Sequence, residues 1–285
     1  MGTMIDGKAV AASFGETLKG RIAEAVAKHG KNPGLAVVIC GEDPSSKVYV
    51  NNILKKCADM GVVATRYDVP ESAGTDALCA KIDELNACED THGIIVQFPT
   101  PKSIDERRVR ETVSPEKDVD AAGTASIGRL FAGQHGFVAC TPKGMMLLLK
   151  STGVDLVGKH AVIVGRSNVV GKPLVQLLLN EHMTVSVCHS RTEDLQSITR
   201  TADVLMAAVG VAHLIGPDHI KSGAVIIDAG INVTSEGLVG DVDWKACLEK
   251  SAAVTPVPGG VGPTTNLILI ENTLEAFNSQ CESAR

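Results

Sequence analysis

The fold of this 285-residue chain turns on residues 160–173, which read His160-Ala161-Val162-Ile163-Val164-Gly165-Arg166-Ser167-Asn168-Val169-Val170-Gly171-Lys172-Pro173. Ala161 to Val164 is a short, apolar, β-branched run ending at Gly165, and the spacing after Pro173 predicts a helix over Lys172–Asn180. A strand, a glycine-bearing turn and a helix in that order aim unpaired helix N–H groups and the positive end of the helix dipole at whatever lies over the turn. A phosphate or pyrophosphate is the natural occupant. The spacing is Gly-x-Ser-x-x-x-Gly, not the Gly-x-Gly-x-x-Gly of the common dinucleotide fingerprint. A plain structural turn therefore stands beside the phosphate reading until the flanking chain is considered.

About twenty residues on, where a dinucleotide unit carries its ribose-reading group, Thr184 to Cys188 reads as a second buried strand running into His189-Ser190-Arg191-Thr192. An NAD site would place a carboxylate there for the ribose 2′-hydroxyl. This chain has a serine and an arginine instead, and Arg166 projects from the first turn, a combination that suits a 2′-phosphate. The expected cofactor is NADP, not NAD.

The length accommodates two α/β domains, each with its own core. Apolar residues make up 44% and charged residues 21%, as in soluble globular proteins. With 3% aromatics and a net charge of −6, the chain lacks both base-stacking surfaces and a general affinity for phosphate backbones, so no nucleic acid is expected. The eight cysteines form no Cys-x-x-Cys pair and no regular spacing, and no His-Glu-x-x-His occurs, so neither a disulfide framework nor a metal site is predicted. No apolar run reaches the length of a membrane span and no leader pattern opens the chain, which leads to a cytoplasmic protein without membrane partners.

Outward from the central turn, strands and helices alternate. Helices are predicted over 6–27, 47–60, with Ser45-Ser46 as cap, and 75–86, and strands over 35–40, 62–69 and 93–98. In the second half, strands are predicted over 161–164, 184–188, 203–207 and 224–228, with helices over 145–152, 172–180, 195–202 and 264–278. Such alternation implies mostly parallel sheets with right-handed crossovers. The expected fold is therefore α/β, with two α/β domains, the second of Rossmann type. The first spans 1–122, a connection 123–140, and the second 141–263, with the final helix, 264–285, packing back on the first.

Four stretches outside the central turn carry candidate chemistry. Tyr49-Val50-Asn51-Asn52-Ile53 lies early on a helix, where a tyrosine can offer a flat face to a heterocycle or simply pack in a core. In Val96-Gln97-Phe98-Pro99, an amide follows an apolar strand at its carboxyl end, where open α/β sheets bind ligands. Lys117-Asp118-Val119-Asp120 presents two carboxylates on opposite sides if extended, so at most one faces a ligand. Thr255 to Thr264 holds three prolines and three glycines, a stiff loop of bare backbone suited to close approach by a flat ring.

Taken together, His92 to Gln97, Lys117 to Asp120, Val164 to Ser167, Cys188 to Ser190 and Thr255 to Pro263 make the chain resemble the bifunctional methylenetetrahydrofolate dehydrogenase/methenyltetrahydrofolate cyclohydrolase family over nearly its whole length. The resemblance implies two α/β domains flanking a cleft, tetrahydrofolate derivatives as substrates, and a homodimer. It implies that Tyr49 packs on the folate rings, that Gln97 and Asp120 serve substrate binding and catalysis, and that Pro258, Gly259 and Gly260 border the substrate. It assigns cofactor contacts to Gly165, Arg166, Ser167, Ser190, Arg191, Ile231, Gly262 and Thr265.

One position departs from the family's pattern with a chemical consequence. The family's cyclohydrolase step uses a Tyr-x-x-x-Lys pair, and here the lysine position holds Ile53, which neither moves a proton nor makes a hydrogen bond. The expectation is an NADP-dependent dehydrogenase with weak or lost cyclohydrolase activity. The alternative is a full bifunctional enzyme in which Lys56 substitutes, since it shares Tyr49's helix face about 4.5 Å beyond position 53 at about 1.5 Å of rise per residue. A folate- and NADP-binding protein without turnover is the reading from another class. A second departure is Ala121, where the family has glycine.

Overall fold

The computed structural model describes residues 2–235 and 237–283, apart from the Ser45 side chain. In chain order, β1 (Thr3–Met4) leads into α1 (Gly7–His29), β2 (Gly34–Cys40), α2 (Pro44–Met60) and β3 (Val63–Val69). There follow α3 (Gly74–Ala87), β4 (Gly93–Val96), α4 (Glu106–Thr112), α5 (Thr124–Phe131) and α6 (Cys140–Ser151). Next come β5 (His160–Val164), α7 (Gly171–Asn180), β6 (Thr184–Cys188), α8 (Leu195–Thr199) and β7 (Val204–Ala207). The chain continues through β8 (Val225–Asp228), β9 (Asn232–Thr234), β10 (Gly237–Val239), α9 (Trp244–Cys247) and β11 (Ala253–Val254) to α10 (Gly262–Ser283).

The chain divides into two compact units, Met1–Ser13 with Ala139–Thr265 and Phe14–Val138 with Asn266–Arg285. Residues 123–138, expected as a connection, belong to the second of these and include the helix α5. The first thirteen residues, expected in the folate-binding domain, group instead with the Rossmann-type unit. The reason is β1: Thr3 and Met4 pair in parallel with Ala253 and Val254. A two-residue strand acquires its identity only from that distant partner.

In the unit holding residues 14–138, a three-stranded parallel sheet runs β3-β2-β4. The central strand is buried along its whole length because both its faces are covered. Ala36, Val38, Ile94 and Val96 join Leu78, Ile82, Leu85 and Val109 in one core. Leu35, Val37 and Ile39 point the other way and are equally buried. The helix α2 begins one turn earlier than Ser45-Ser46 would have it, since Asp43 is the cap, accepting from the Ser46 N–H at 2.7 Å, with Pro44 at the first position. Gly61, in left-handed conformation at φ 81°, ends it.

The other unit is built on a six-stranded parallel sheet in the order β1-β11-β8-β7-β5-β6. Its strands Ala161–Val164, Val204–Ala207 and Val225–Asp228 are fully buried. Strand β6, expected to be buried, lies at the sheet edge, and Thr184 and Val187 are exposed. Its apolar character reflects β propensity as much as burial. The chain goes from β5 outward to β6, then back across to β7 on the other side of β5, creating a reversal of strand order at the carboxyl end of β5.

Candidate active site

Gln97 and Asp120 lie at the carboxyl edge of the smaller sheet, and Tyr49 is on the helix that leaves it after β2. Tyr49 lies in the second turn of α2, which follows β2, and its ring is partly exposed. Gln97 is the residue after β4; it is half-buried, its backbone N–H donates to the Val38 carbonyl at 2.8 Å, and its side chain donates to the Phe98 carbonyl. The following loop is held by the Arg110 guanidinium stacked 3.5 Å from the Phe98 ring centroid and by Glu106, which accepts from the Thr100 N–H. Residues 117–119 run parallel beside β4, with Ile94 donating to the Lys117 carbonyl at 2.7 Å, and this carries Asp120 to the same edge.

The two aspartates differ in burial and in partners. Asp118 is buried and accepts from the Ala122 and Gly123 N–H groups and from the Ser126 hydroxyl at 2.6 Å, so its carboxylate is committed to the loop. Asp120, two residues further on, is half-buried. Lys117 also serves the fold, donating to the Leu85 and Cys88 carbonyls, and burial pushes its pKa down. Ala121 adopts φ 51°, the left-handed conformation that explains why glycine is the family's choice there.

Ile53 is 1% exposed and belongs to the buried stripe Val50, Ile53, Cys57 and Met60. The Cys57 thiol in that stripe is pushed up to about 12 by burial and is inert. Lys56 is half-buried and Lys55 exposed. On a helix Lys56 falls about 20° from Tyr49 at 100° per residue, so it borders the same side of α2.

In the larger sheet, a cavity of about 530 Å³ opens at the strand-order reversal. Gly165, Arg166, Ser167 and Ser190 all line it, together with Val164, His189, Thr192, Ala208, Val209 and Val211. Gly165 is required twice over: its φ is 130°, and a Cβ there would lie 2.3 Å from the Ala208 carbonyl oxygen. At Gly171 a Cβ would lie 2.3 Å from the Gly165 oxygen, so both glycines of the motif let the turn close on itself. The Ser167 hydroxyl accepts from the Val170 N–H at 3.1 Å and, longer, from Gly171, so some of the N–H groups expected to face a phosphate are already engaged. Beyond β6, His189 donates to the Thr192 hydroxyl and Arg191 donates to His189 Nδ1, a tight turn that lifts Ser190 and Arg191 to the surface.

Arg191, Ile231, Gly262 and Thr265 do not line this cavity. Arg191 adjoins it through Ser190; Ile231 is 69% exposed; the Thr265 hydroxyl donates to the Gly262 carbonyl within the first turn of α10. In the proline- and glycine-rich loop, Pro258 is exposed and Gly259 has φ 105°. Gly260 is bare for an internal reason, since a Cβ would lie 2.6 Å from the Pro256 oxygen. Two contributors to the cavity that motif reading missed, Val209 and Val211, lie after β7, where only the strand-order rule could have pointed to them.

At the carboxyl end of β8, Asp228 is buried, and its burial pushes the carboxyl up to about 7 although the Gly230 and Val242 N–H groups donate to it. A carboxyl raised in the fold binds its proton more tightly there than in the unfolded chain. Its contribution to stability is thus complete below the unfolded pKa of about 4 and lost as pH rises through about 7. Urea unfolding of Asp228→Asn is expected to show a flatter fall of stability between pH 5 and pH 8 than the wild type; an unchanged slope would refute the assignment.

Among the described residues, no group of three or more His, Cys, Asp or Glu side chains is placed to hold a metal ion, and no helix is long and apolar enough to cross a membrane.

A parallel sheet that reverses its strand order over a glycine turn, with a cavity at the reversal, defines a dinucleotide-binding α/β protein. The family described as tetrahydrofolate dehydrogenase/cyclohydrolase matches residues 5–120 by its catalytic domain and residues 139–281 by its NAD(P)-binding domain. The chain belongs to that family. It is 50% identical over 265 residues to the bifunctional protein FolD of Geobacillus thermodenitrificans, covering 92% of this chain and 93% of the relative. To the Magnetococcus marinus FolD it is 47% identical, covering 96% and 97%. Among solved structures, the bifunctional FolD of Campylobacter jejuni superposes with a TM-score of 0.95 at 41% identity, over 98% of this chain and 99% of that one. The Trypanosoma brucei FolD, solved with NADP cofactor and inhibitor, gives 0.92 at 35% identity over 100% and 99%.

Proposed function

We propose that this protein oxidises 5,10-methylenetetrahydrofolate to 5,10-methenyltetrahydrofolate with NADP as acceptor, and that its cyclohydrolase activity toward 10-formyltetrahydrofolate is weak. The observation that carries the reading is the meeting of Gly165, Arg166, Ser167 and Ser190 in one cavity at the strand-order reversal, in a chain of this family. Bound NADP supplies the nicotinamide carbon that takes up the hydride. The residues present fit such a group. The glycine turn has no Cβ to obstruct a phosphate, and Arg166 and Arg191 are exposed cations at two strand ends, suited to a 2′-phosphate.

On the folate side, Tyr49 offers its ring to the pterin, Asp120 accepts hydrogen bonds from the pterin's amidine-like edge, and Gln97 orients the substrate beside them. The Pro258-Gly259-Gly260 segment borders the substrate with stiff, low-profile backbone. Ile231, Gly262 and Thr265 complete the cofactor contacts. Hydride departure from the methylene bridge needs no general base, so these residues bind and orient; their contribution is proximity. Water addition to the methenyl bridge does need proton handling, and Ile53 supplies none. Lys56, half-buried two turns along the same side of α2 as Tyr49, is the one observation favouring a residual hydrolase. The working form is a cytoplasmic homodimer, on the family resemblance.

The test is NADPH formation from 5,10-methylenetetrahydrofolate, with methenyl hydrolysis followed separately. Arg166→Ala and Arg191→Ala are each expected to weaken NADP binding about 10-fold, from about 1.5 kcal/mol per charge-assisted hydrogen bond, while NAD binding changes less than about threefold. Binding titrations in which NADP and NAD weaken equally would remove the 2′-phosphate assignment.

A further inference from the structure

Buried carboxylates at a ligand-facing sheet edge require partners, and Asp241, which is fully buried, has an unusual set. One oxygen accepts from the backbone N–H groups of Val209 at 2.6 Å and Gly210 at 3.1 Å; the other accepts from Val211 at 2.9 Å and from the Asn232 side-chain amide at 3.0 Å. Three consecutive N–H groups converge on one carboxylate, which fixes the backbone of the loop after β7. That loop supplies Ala208, Val209 and Val211 to the wall of the cavity at the strand-order reversal.

The aspartate is itself held. Its backbone carbonyl accepts from Ile215, and the neighbouring Gly240 carbonyl accepts from His213, so residues 240–242 run beside the segment that returns from the cavity wall. Asn232 follows Ile231 directly at the start of β9. Two glycines make room: a Cβ on Gly230 would lie 2.3 Å from the Asp241 carboxyl carbon, and one on Gly240 would lie 2.0 Å from an Asp228 oxygen. A side chain at either place would push the carboxylates out of their positions. The start of the same loop touches the glycine turn, where the Ala208 oxygen lies against Gly165.

We propose that Asp241 is a positioning residue for the dinucleotide: by binding the 209–211 backbone and Asn232 at once, it shapes the cavity wall and sets Ile231 beside it. The inference rests on the NADP reading above. Asp241 is buried beneath the wall and acts through the loop.

The test is the Kd of NADP, by titration of the full-length protein, for wild type, Asp241→Asn and Asn232→Ala, with thermal midpoints measured in parallel. In Asp241→Asn an amide nitrogen faces backbone N–H donors, and the Kd is expected to rise about 30-fold or more, with KM for NADP rising more than kcat falls. In Asn232→Ala, which removes one hydrogen bond at a half-buried position, a rise of about fivefold is expected. A residue that only supported the fold would lower the thermal midpoint without changing Kd well below it. An NADP Kd within twofold of wild type in both folded variants would overturn the proposal. Should Asp241→Asn fail to fold, Asn232→Ala decides alone: a fivefold rise supports the role and an unchanged Kd overturns it. A wild-type protein that bound no NADP would overturn the cofactor reading itself, a result distinguishable from either.

Discussion

Replacing Ile53 with lysine is expected to raise hydrolysis of 5,10-methenyltetrahydrofolate by about 10²- to 10⁴-fold, the contribution typical of a positioned proton-transfer group. The argument begins with the helix. Position 53 is four residues after Tyr49, one turn along the same face, where the family carries its lysine. In this chain the position is 1% exposed and continues an apolar stripe. A lysine there would bury its methylene stem in that stripe and carry its amine toward Tyr49, since helical side chains lean toward the N-terminus. The substitution is expected to cost about 1–3 kcal/mol of stability by burying polar atoms in an apolar stripe. NADPH formation is expected to change little, because hydride transfer uses no proton carrier at that position. Lys56→Ala is the companion. If the unmodified protein hydrolyses the methenyl bridge robustly and Lys56→Ala abolishes that, the second lysine already performs the task and the weak-hydrolase reading is wrong.

Gly165→Ala is expected to raise the Kd of NADP at least 100-fold. A single methyl group would meet the Ala208 oxygen at 2.3 Å, in a backbone conformation of φ 130° that side chains rarely adopt. The obstructing atom is backbone carbonyl, so a rotamer change cannot relieve it; either the turn or the loop after β7 must move. Both line the same cavity. Strain of this kind costs about 1–3 kcal/mol, and the displaced loop adds the loss of fit for the cofactor. The fold should survive, because β5 remains buried between β6 and β7. Titration of the variant with NADP, alongside its circular dichroism, checks both parts. Unaltered affinity would mean that the turn is structural only.

The central turn is legible in the sequence because its two glycines answer to a local need, and local needs leave marks in residue type. The same holds for the different burial of Asp118 and Asp120, which is in keeping with alternation along an extended segment. Other features have no local mark. Thr3–Met4 is a strand only through its pairing with residues 253 and 254. The β6 run looks like a core strand yet lies at an edge, since β-branched residues serve both places. Ser45-Ser46 is a plausible helix cap, but Asp43 with Pro44 after it starts the helix a turn sooner. Asp241 has no local mark either, since its partners, residues 209–211 and 232, are brought around it only by the fold. Gly260 also has a reason for its bareness that the sequence does not show, its packing against the Pro256 oxygen.

The central claim is direct passage of a hydride from the folate bridge to the coenzyme. Methylenetetrahydrofolate deuterated at the bridge carbon, incubated with the purified protein and NADP in ordinary water, tests it most directly. Mass spectrometry of the reduced coenzyme is predicted to find the deuterium on the nicotinamide ring. Reduced coenzyme carrying only solvent hydrogen, or no reduced coenzyme at all, would contradict it.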